Sequence, residues 1–407
     1  MVLSLSNELL CNILSNLIED KKTLCAVARV CPRLRDIAQD ILFREAHLDV
    51  NSKRYSQFYL ALQQRPQLHS RVHRLQIALP EEVDSSRVKK HINNLLDNLS
   101  GLRDFSFVGQ PYNPFYEPKY FRPAFLKSKD FPVLRTIQWR FQICPEMLGH
   151  FMLLPSIQKI YLQGLRSDSD QEALYEQFEE KMHQSPLTEL HVFSTQPLPF
   201  KAFQSLLSLP KSLSLLHINE SGGRQVSGDS IPSLLHAVRD TLRELYIFNR
   251  TVSITPPSTP ANLSGFLNLR RLWMPFRHLN TPLGPTEGPI QHNLAHLLPA
   301  CLMELKMFYV SGDNAVILKK GHPTKAQMND CLISLAEGKA RSFPQLVLVI
   351  LEEQDSGVES AQWVAPRPMQ WIPILDLMRD FKASLIRFRL IAGVLHYKTN
   401  PLPSDRL

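Results

Sequence analysis

The sequence predicts an α/β solenoid, a curved parallel sheet with helices outside, preceded by a small all-α domain of three helices. Three observations predict it. One apolar spacing, Φ-x-x-Φ-x-Φ, recurs eleven times from residue 72 onward. Helix-like stretches fall between many of these recurrences. The first 48 residues instead follow a helical period and contain no strand pattern.

The N-terminal segment takes its helices in order. Apolar residues at Leu9, Leu10, Ile13, Leu14 and Leu17 repeat with the 3.6-residue period. Ser6 stands at the N-cap position and Glu8 in the first turn, where the helix dipole favours negative charge. The polar run Glu19-Asp20-Lys21-Lys22 ends this helix, and Thr23 is placed to cap a second one carrying Leu24, Val27, Ala28 and Val30. Pro32 suits the first turn of a third, with Leu34, Ile37, Ala38, Ile41 and Leu42. So short a chain buries its own apolar surface poorly, so a partner or the remaining chain is expected to cover part of it.

The run Leu5-Ser6-Asn7-Glu8-Leu9-Leu10, then Ile13-Leu14, Leu17, Leu24, Val30-Cys31, Leu34, Ile37-Ala38 and Leu42-Phe43, resembles the F-box. One departure is Ser6, where that family usually has proline. The resemblance implies docking on a Skp-family adaptor and, through it, on a cullin. It points to Leu5, Leu9, Ile13, Leu17, Val30, Cys31 and Leu34 as the adaptor-binding set, some of which must serve the domain's own core. The boundaries read from the sequence are 1–48 for this domain, 49–70 for a helical connector, 71–395 for the solenoid and 396–407 for a C-terminal tail.

The solenoid begins with Val72/Leu75/Ile77, Leu102/Phe105/Phe107, Leu134/Ile137/Trp139 and Ile157/Ile160/Leu162. It continues with Leu187/Leu190/Val192, Leu213/Leu216/Ile218, Leu242/Leu245/Ile247 and Leu269/Leu272/Met274. The last three are Leu302/Leu305/Met307, Leu346/Val349/Leu351 and Leu385/Phe388/Leu390. Starts lie 23 to 33 residues apart, except for two longer final gaps. Helices are expected at Ser85–Leu99, Asp168–His183, Asp229–Arg239, Ile290–Leu298, Thr324–Ala340 and Trp371–Ala383. This spacing resembles leucine-rich repeats in degenerate form, without the asparagine that usually follows each strand. Asn249 comes one residue early for that place. The layout as a whole resembles the divergent F-box proteins of fungi.

Period-2 geometry places the residues between the apolar positions on the opposite, concave face. That column reads Gln76, Ser106, Gln138, Tyr161, His191, His217, Tyr246, Trp273, Lys306, Ile350 and Arg389, with Phe193, Asn219, Phe248 and Phe308 in the next. Tyr161, His191, Phe193, His217, Tyr246, Phe248, Trp273 and Phe308 are therefore the candidate substrate-binding residues, because exposed aromatic rings dominate interface hot spots. The alternative is that loops fold over these rings, and Gln110–Phe125, dense in proline and aromatics, is one such loop. Two further loops resemble phosphodegrons: Asp355-Ser356-Gly357-Val358-Glu359-Ser360, and Ile254-Thr255-Pro256-Pro257. They make Thr255, Ser356 and Ser360 candidate phosphorylation sites.

Other function classes find little support. The formal charge of +8 comes from dispersed basic residues without a nucleic-acid motif, and suits solubility or an acidic partner. The cysteines, Cys11, Cys25, Cys31, Cys144, Cys301 and Cys331, form no CxxC pair and are expected as thiols, with no zinc site. His292 and His296 share a helical spacing but lack a third ligand. No phosphate-binding glycine loop, nucleophile elbow or His-Glu-x-x-His is present, so neither catalysis nor a cofactor is expected. With no secretory signal or membrane span, the expected location is cytoplasm or nucleus. The expected function is substrate recognition for a Skp–cullin–F-box ubiquitin ligase, holding an unknown protein substrate. The alternative is a scaffold that engages the adaptor without cullin.

Overall fold

The computed structural model describes residues 5–79, 92–109, 131–141, 143–165, 176, 178–194, 200–220, 230–249, 260–279, 294–310, 325–354 and 386–391. It divides into two compact units, Met1–Leu190 with Leu209–Lys211, and His191–Ser208 with Ser212–Leu407. Each has its own parallel strands in chain order.

The first unit opens with α1 (Asn7–Ser15), α2 (Lys21–Val27) and α3 (Pro32–Arg44). Ser6 caps α1, its hydroxyl accepting the Leu9 amide at 3.3 Å. The cap of α2 is Asp20, not Thr23. One Asp20 carboxylate oxygen accepts the Thr23 amide at 3.1 Å, and the other accepts the Thr23 hydroxyl at 2.6 Å. These bonds hold the Asp20 carboxyl below its ordinary range. Pro32 starts α3, as its fixed φ allows. The three helices enclose a core of Leu10, Leu14, Leu24, Leu34, Ala38 and Ile41. Arg33 joins the ends of α1 and α3, donating to the Asn7 side chain at 2.8 Å and to the Leu5 carbonyl at 2.5 Å.

The parallel strands begin earlier than the expected boundary at 71. Strand β1 (Glu45–Asp49) follows α3 directly, with Ala46 and Leu48 buried, and pairs with β2 (Arg74–Leu79). Between them lie α4 (Lys53–Gln64), capped by Ser52, and a 3-10 turn at Pro66–Arg71. Then come β3 (Asp104–Gly109), β4 (Thr136–Trp139) and β5 (Lys159–Gln163), each parallel to the one before. The register aligns Leu75, Phe105, Ile137 and Ile160, each 2% exposed or less. Trp139 reaches from β4 to Phe151 on the helix Pro145–Met152, their rings 5.3 Å apart.

Strand β6 (Glu189–Ser194) holds the residues where the first unit gives way to the second. The second unit continues with β7 (Leu215–Glu220), β8 (Glu244–Asn249), β9 (Arg271–Pro275), β10 (Glu304–Val310), β11 (Leu348–Gln354) and β12 (Arg387–Ile391). All its pairings from β7 to β12 are parallel. Leu216, Leu245, Leu272, Leu305 and Val349 form its aligned and fully buried column.

Every Φ-x-x-Φ-x-Φ recurrence coincides with a strand; of the expected helices, Thr324–Ala340 is found at full length, while the described part of Asp229–Arg239 is shorter than expected. Asp229–Arg239 holds only Ser230–Leu234 and a 3-10 turn at His236–Val238, and Ile290–Leu298 holds a 3-10 turn at Leu294–His296. Closely spaced strands leave room for a turn or two only. The longest helix of the described residues, Lys325–Ser342, falls in the longest interval, between Leu302 and Leu346. Residues 92–96 are the described helical part of Ser85–Leu99, and Trp371–Ala383 lies outside the described residues. The helices Pro145–Met152 and Phe200–Leu207 were not expected; Cys144 is the N-cap of the first.

A backbone ladder runs along the strand starts of each unit. In the first, the His73 carbonyl accepts the amides of Arg103 and Asp104, that of Arg103 accepts Arg135 and Thr136, and that of Arg135 accepts Gln158 and Lys159. In the second, Ser214 accepts Arg243 and Glu244, Arg243 accepts Arg270 and Arg271, Arg270 accepts Met303 and Glu304, and Met303 accepts Val347 and Leu348. These bonds measure 2.7 to 3.2 Å. Each carbonyl uses both lone pairs, leaving neither amide of the next strand start unsatisfied.

A methyl group at Gly101 would meet the Ser70 carbonyl oxygen at 2.1 Å and its carbon at 2.7 Å, whereas one at Gly265 would meet only the Arg239 Cδ at 3.6 Å. Gly101→Ala is therefore expected to cost at least about 1–3 kcal/mol of stability, and Gly265→Ala to stay within about 0.5 kcal/mol. Urea unfolding of the two variants measures the difference.

Candidate functional site

The three-helix domain sorts its apolar residues cleanly. Leu10, Leu14 and Leu34 face the core, while Leu9, Ile13 and Val30 are 52, 51 and 68% exposed. Leu5, Leu17 and Cys31 are half-buried against the core. Of the expected adaptor-binding set, Leu34 is thus a packing residue. Leu9 and Ile13 lie four positions apart, so they share one face of α1. Three large apolar side chains exposed on so small a domain leave surface that water covers at a cost.

The second candidate surface lies within the second unit. The pairings align His217, Tyr246, Trp273, Lys306 and Ile350 across β7 to β11. Their rings pack on one another edge to face. His217 lies 5.9 Å from Tyr246, and Tyr246 4.7 Å from Trp273. The next column joins in, with Phe193 and Phe248 each 5.0 Å from His217. Pro275 occupies the rung beside Phe308, and its short ring leaves space across which Phe248 and Phe308 meet at 4.8 Å.

These rings are partly covered by each other. His191, Phe193, His217, Tyr246, Phe248 and Trp273 are half-buried. Phe308 is only 2% exposed, so it supports its neighbours from beneath and has almost no surface to offer a partner. Tyr161 sits half-buried on β5 in the first unit, where the burial of its ring raises its phenol above the ordinary range.

Charged groups brace the aromatic columns. The Lys306 ammonium lies 4.7 Å from the centre of Trp273 and 5.0 Å from that of Phe308, and pairs with Glu352 at 2.5 Å. The Trp273 indole donates to Glu304 at 2.9 Å, and the Tyr246 hydroxyl donates to Glu244 at 2.5 Å. Arg271 bridges Glu244 at 3.1 Å and Glu304 at 3.8 Å. Burial and the bond to Glu244 push the Tyr246 phenol far up. Sequence reasoning missed these acids, although Glu189, Glu244 and Glu304 each open a strand one residue before the first buried strand position.

His191 and His217 approach through their Nδ1 atoms at 3.3 Å, so one ring must donate and the other accept. Burial holds His217 down at about 4, keeping the ring neutral at physiological pH. Among the described residues no group of three or more His, Cys, Asp or Glu is arranged to hold a metal ion. Among the same residues no helix is long and apolar enough to cross a membrane. Thr255, Ser356, Ser360, His292 and the loop Gln110–Phe125 lie outside the described residues.

The helical domain is the part with a recognisable family. A family model described as F-box-like matches residues 4–49, which spans α1 to α3 and reaches into β1. F-box domains bind Skp-type adaptors and are generally parts of non-catalytic receptor subunits. No curated protein matches the chain.

The His217 site carries a pH signature. An unfolded histidine takes up a proton near 6.5, but the folded one does so only near 4. Its contribution is fully present above about pH 6.5 and is lost as pH falls toward 4, by up to about 3 kcal/mol. His217→Phe is expected to flatten this part of the profile, measured by urea unfolding at a series of pH values.

Proposed function

We propose that the chain is the substrate-recognition subunit of a Skp–cullin–F-box ubiquitin ligase. The observation that carries the reading is the exposed trio Leu9, Ile13 and Val30 on an F-box-like domain whose other large apolar residues are covered. The trio, with Leu5, Leu17 and Cys31 at its margin, docks on the Skp-family adaptor, which joins the chain to the cullin. Ser6 replaces the family's usual proline but caps α1 itself, so the docking helix is held in place without it.

The remaining chain is, in this reading, a degenerate leucine-rich-repeat solenoid of the fungal type. Its buried columns and parallel strands in chain order support that. A protein substrate docks on His191, Phe193, His217, Tyr246, Phe248 and Trp273 in the second unit, and Tyr161 is a separate candidate contact in the first. The half-buried rings favour this, since they are rigid, already ordered and lose little freedom on binding. The subunit makes no bonds itself. It raises the local concentration of substrate lysines near ubiquitin activated elsewhere.

Leu9→Ala combined with Ile13→Ala is expected to weaken adaptor binding at least about 100-fold, from the loss of two interface anchors. Leu10→Ala, which opens a cavity in the core, is expected to lower stability by about 2–5 kcal/mol instead. Titration calorimetry with the purified adaptor, beside urea unfolding, separates the two. Adaptor affinity unchanged in a folded Leu9/Ile13 variant contradicts the docking face.

A further inference from the structure

We propose that a strip of aligned basic residues in the first unit, the arginines Arg44, Arg103 and Arg135 with His73 among them, docks an extended acidic segment of a partner protein. The strip follows from the backbone ladder. The His73 amide donates to the Arg44 carbonyl at 3.0 Å, Arg103 follows on His73 at 2.8 Å, and Arg135 on Arg103 at 2.7 Å. The pairings that follow align Glu45, Arg74, Asp104 and Thr136, so the residues just ahead of them stand on successive rungs with the same parity. Four consecutive rungs therefore carry a basic residue. At the strand spacing of about 4.8 Å they cover about 14 Å.

The neighbouring acids are already engaged. Arg74 pairs with Glu45 at 3.1 Å and with Asp104 at 3.2 Å, so the adjacent column keeps one net negative charge, shared by two carboxylates on a single guanidinium. Asp40 pairs with Arg71 at 2.9 Å and also feels the charges of Arg44, His73 and Asp36. Arg103 and Arg135 are exposed and form no ion pair with another described residue. Positive charge is crowded enough that burial, and then Arg103, Arg44 and Arg71, lower the affinity of His73 for its proton.

The strip's dimensions choose its ligand. About 14 Å is four or five residues of extended peptide, whose alternate side chains reach one side about every 6.8 Å. Acidic side chains on its near side, about 6.8 Å apart, reach the arginines of the strip without matching them rung for rung. Nucleic acid fits less well. The strip and the rungs that continue it, Gln158 and Thr188, contain no Phe, Tyr or Trp on which a base stacks, and so few cations neutralise few phosphates. The inference does not depend on the ligase reading, because none of these residues belongs to the adaptor face or the aromatic columns.

The test uses the full chain and a fluorescein-labelled hexaglutamate peptide, followed by fluorescence anisotropy at low salt. Arg103→Glu with Arg135→Glu is expected to weaken binding about tenfold or more. Arg239→Glu, at an exposed arginine paired with Asp240 in the other unit, is expected to leave it unchanged. Bound glutamate is also expected to raise the titration midpoint of His73, read by NMR in the unsubstituted chain. Absence of peptide binding, insensitivity to the Arg103/Arg135 reversal, or an unmoved His73 overturns the proposal. Tighter binding of an oligothymidine of equal charge, lost in the same variant, also overturns it and assigns the strip to nucleic acid.

Discussion

Within each unit, the side-chain columns of the parallel strands are positioned by the backbone bonds at the strand starts. One carbonyl ahead of most strands accepts two amides of the next, fixing both the spacing and the register of neighbouring strands. Register is decisive in a sheet, because a slip of one residue moves every side chain to the other face. With it fixed, Leu216, Leu245, Leu272 and Leu305 stack inside while His217, Tyr246, Trp273 and Lys306 line up opposite. The same bonds place Arg44, His73, Arg103 and Arg135 in line at the start of the first unit's strands.

The helical domain obeys a different constraint. Its core consists of six residues, which is little for a domain that also keeps Leu9, Ile13 and Val30 outside. Local chemistry does much of the remaining work. Ser6 and Asp20 cap two helices, Pro32 starts the third, and Arg33 ties α3 to the residues around the start of α1. The domain is thus held by caps and a small core, and any partner that binds its folded form adds to its stability.

From β2 onward the strands were legible because each carries the same apolar spacing, buried wherever its side chains are described. Strand β1 escaped notice, since Ala46 and Leu48 offer only two apolar positions directly after a helix, too few to show a period. The helices were overestimated where apolar stretches lay between closely spaced strands, as at Asp229–Arg239, because interval length limits them more than propensity does. The aromatic columns were visible as a parity pattern, but parity says nothing of depth. It gave Phe308 and Trp273 the same standing, although Phe308 lies beneath Phe248 and the Lys306 ammonium and is almost fully buried. Nor does sequence separate Leu9 from Leu10; only the packing of α1 on α3 does. The backbone ladder left no trace in residue types at all, being made by groups that every residue carries.

The central claim is that the F-box-like helices meet an adaptor through Leu9, Ile13 and Val30 while the aromatic columns stay free for another protein. Hydrogen-exchange mass spectrometry of the full chain, with and without a purified Skp-family adaptor, tests it most directly. The account predicts added protection in peptides covering α1 and residues 28–34, with exchange across β7 to β10 unchanged. Protection confined to β7 to β10, or none in α1, would contradict it.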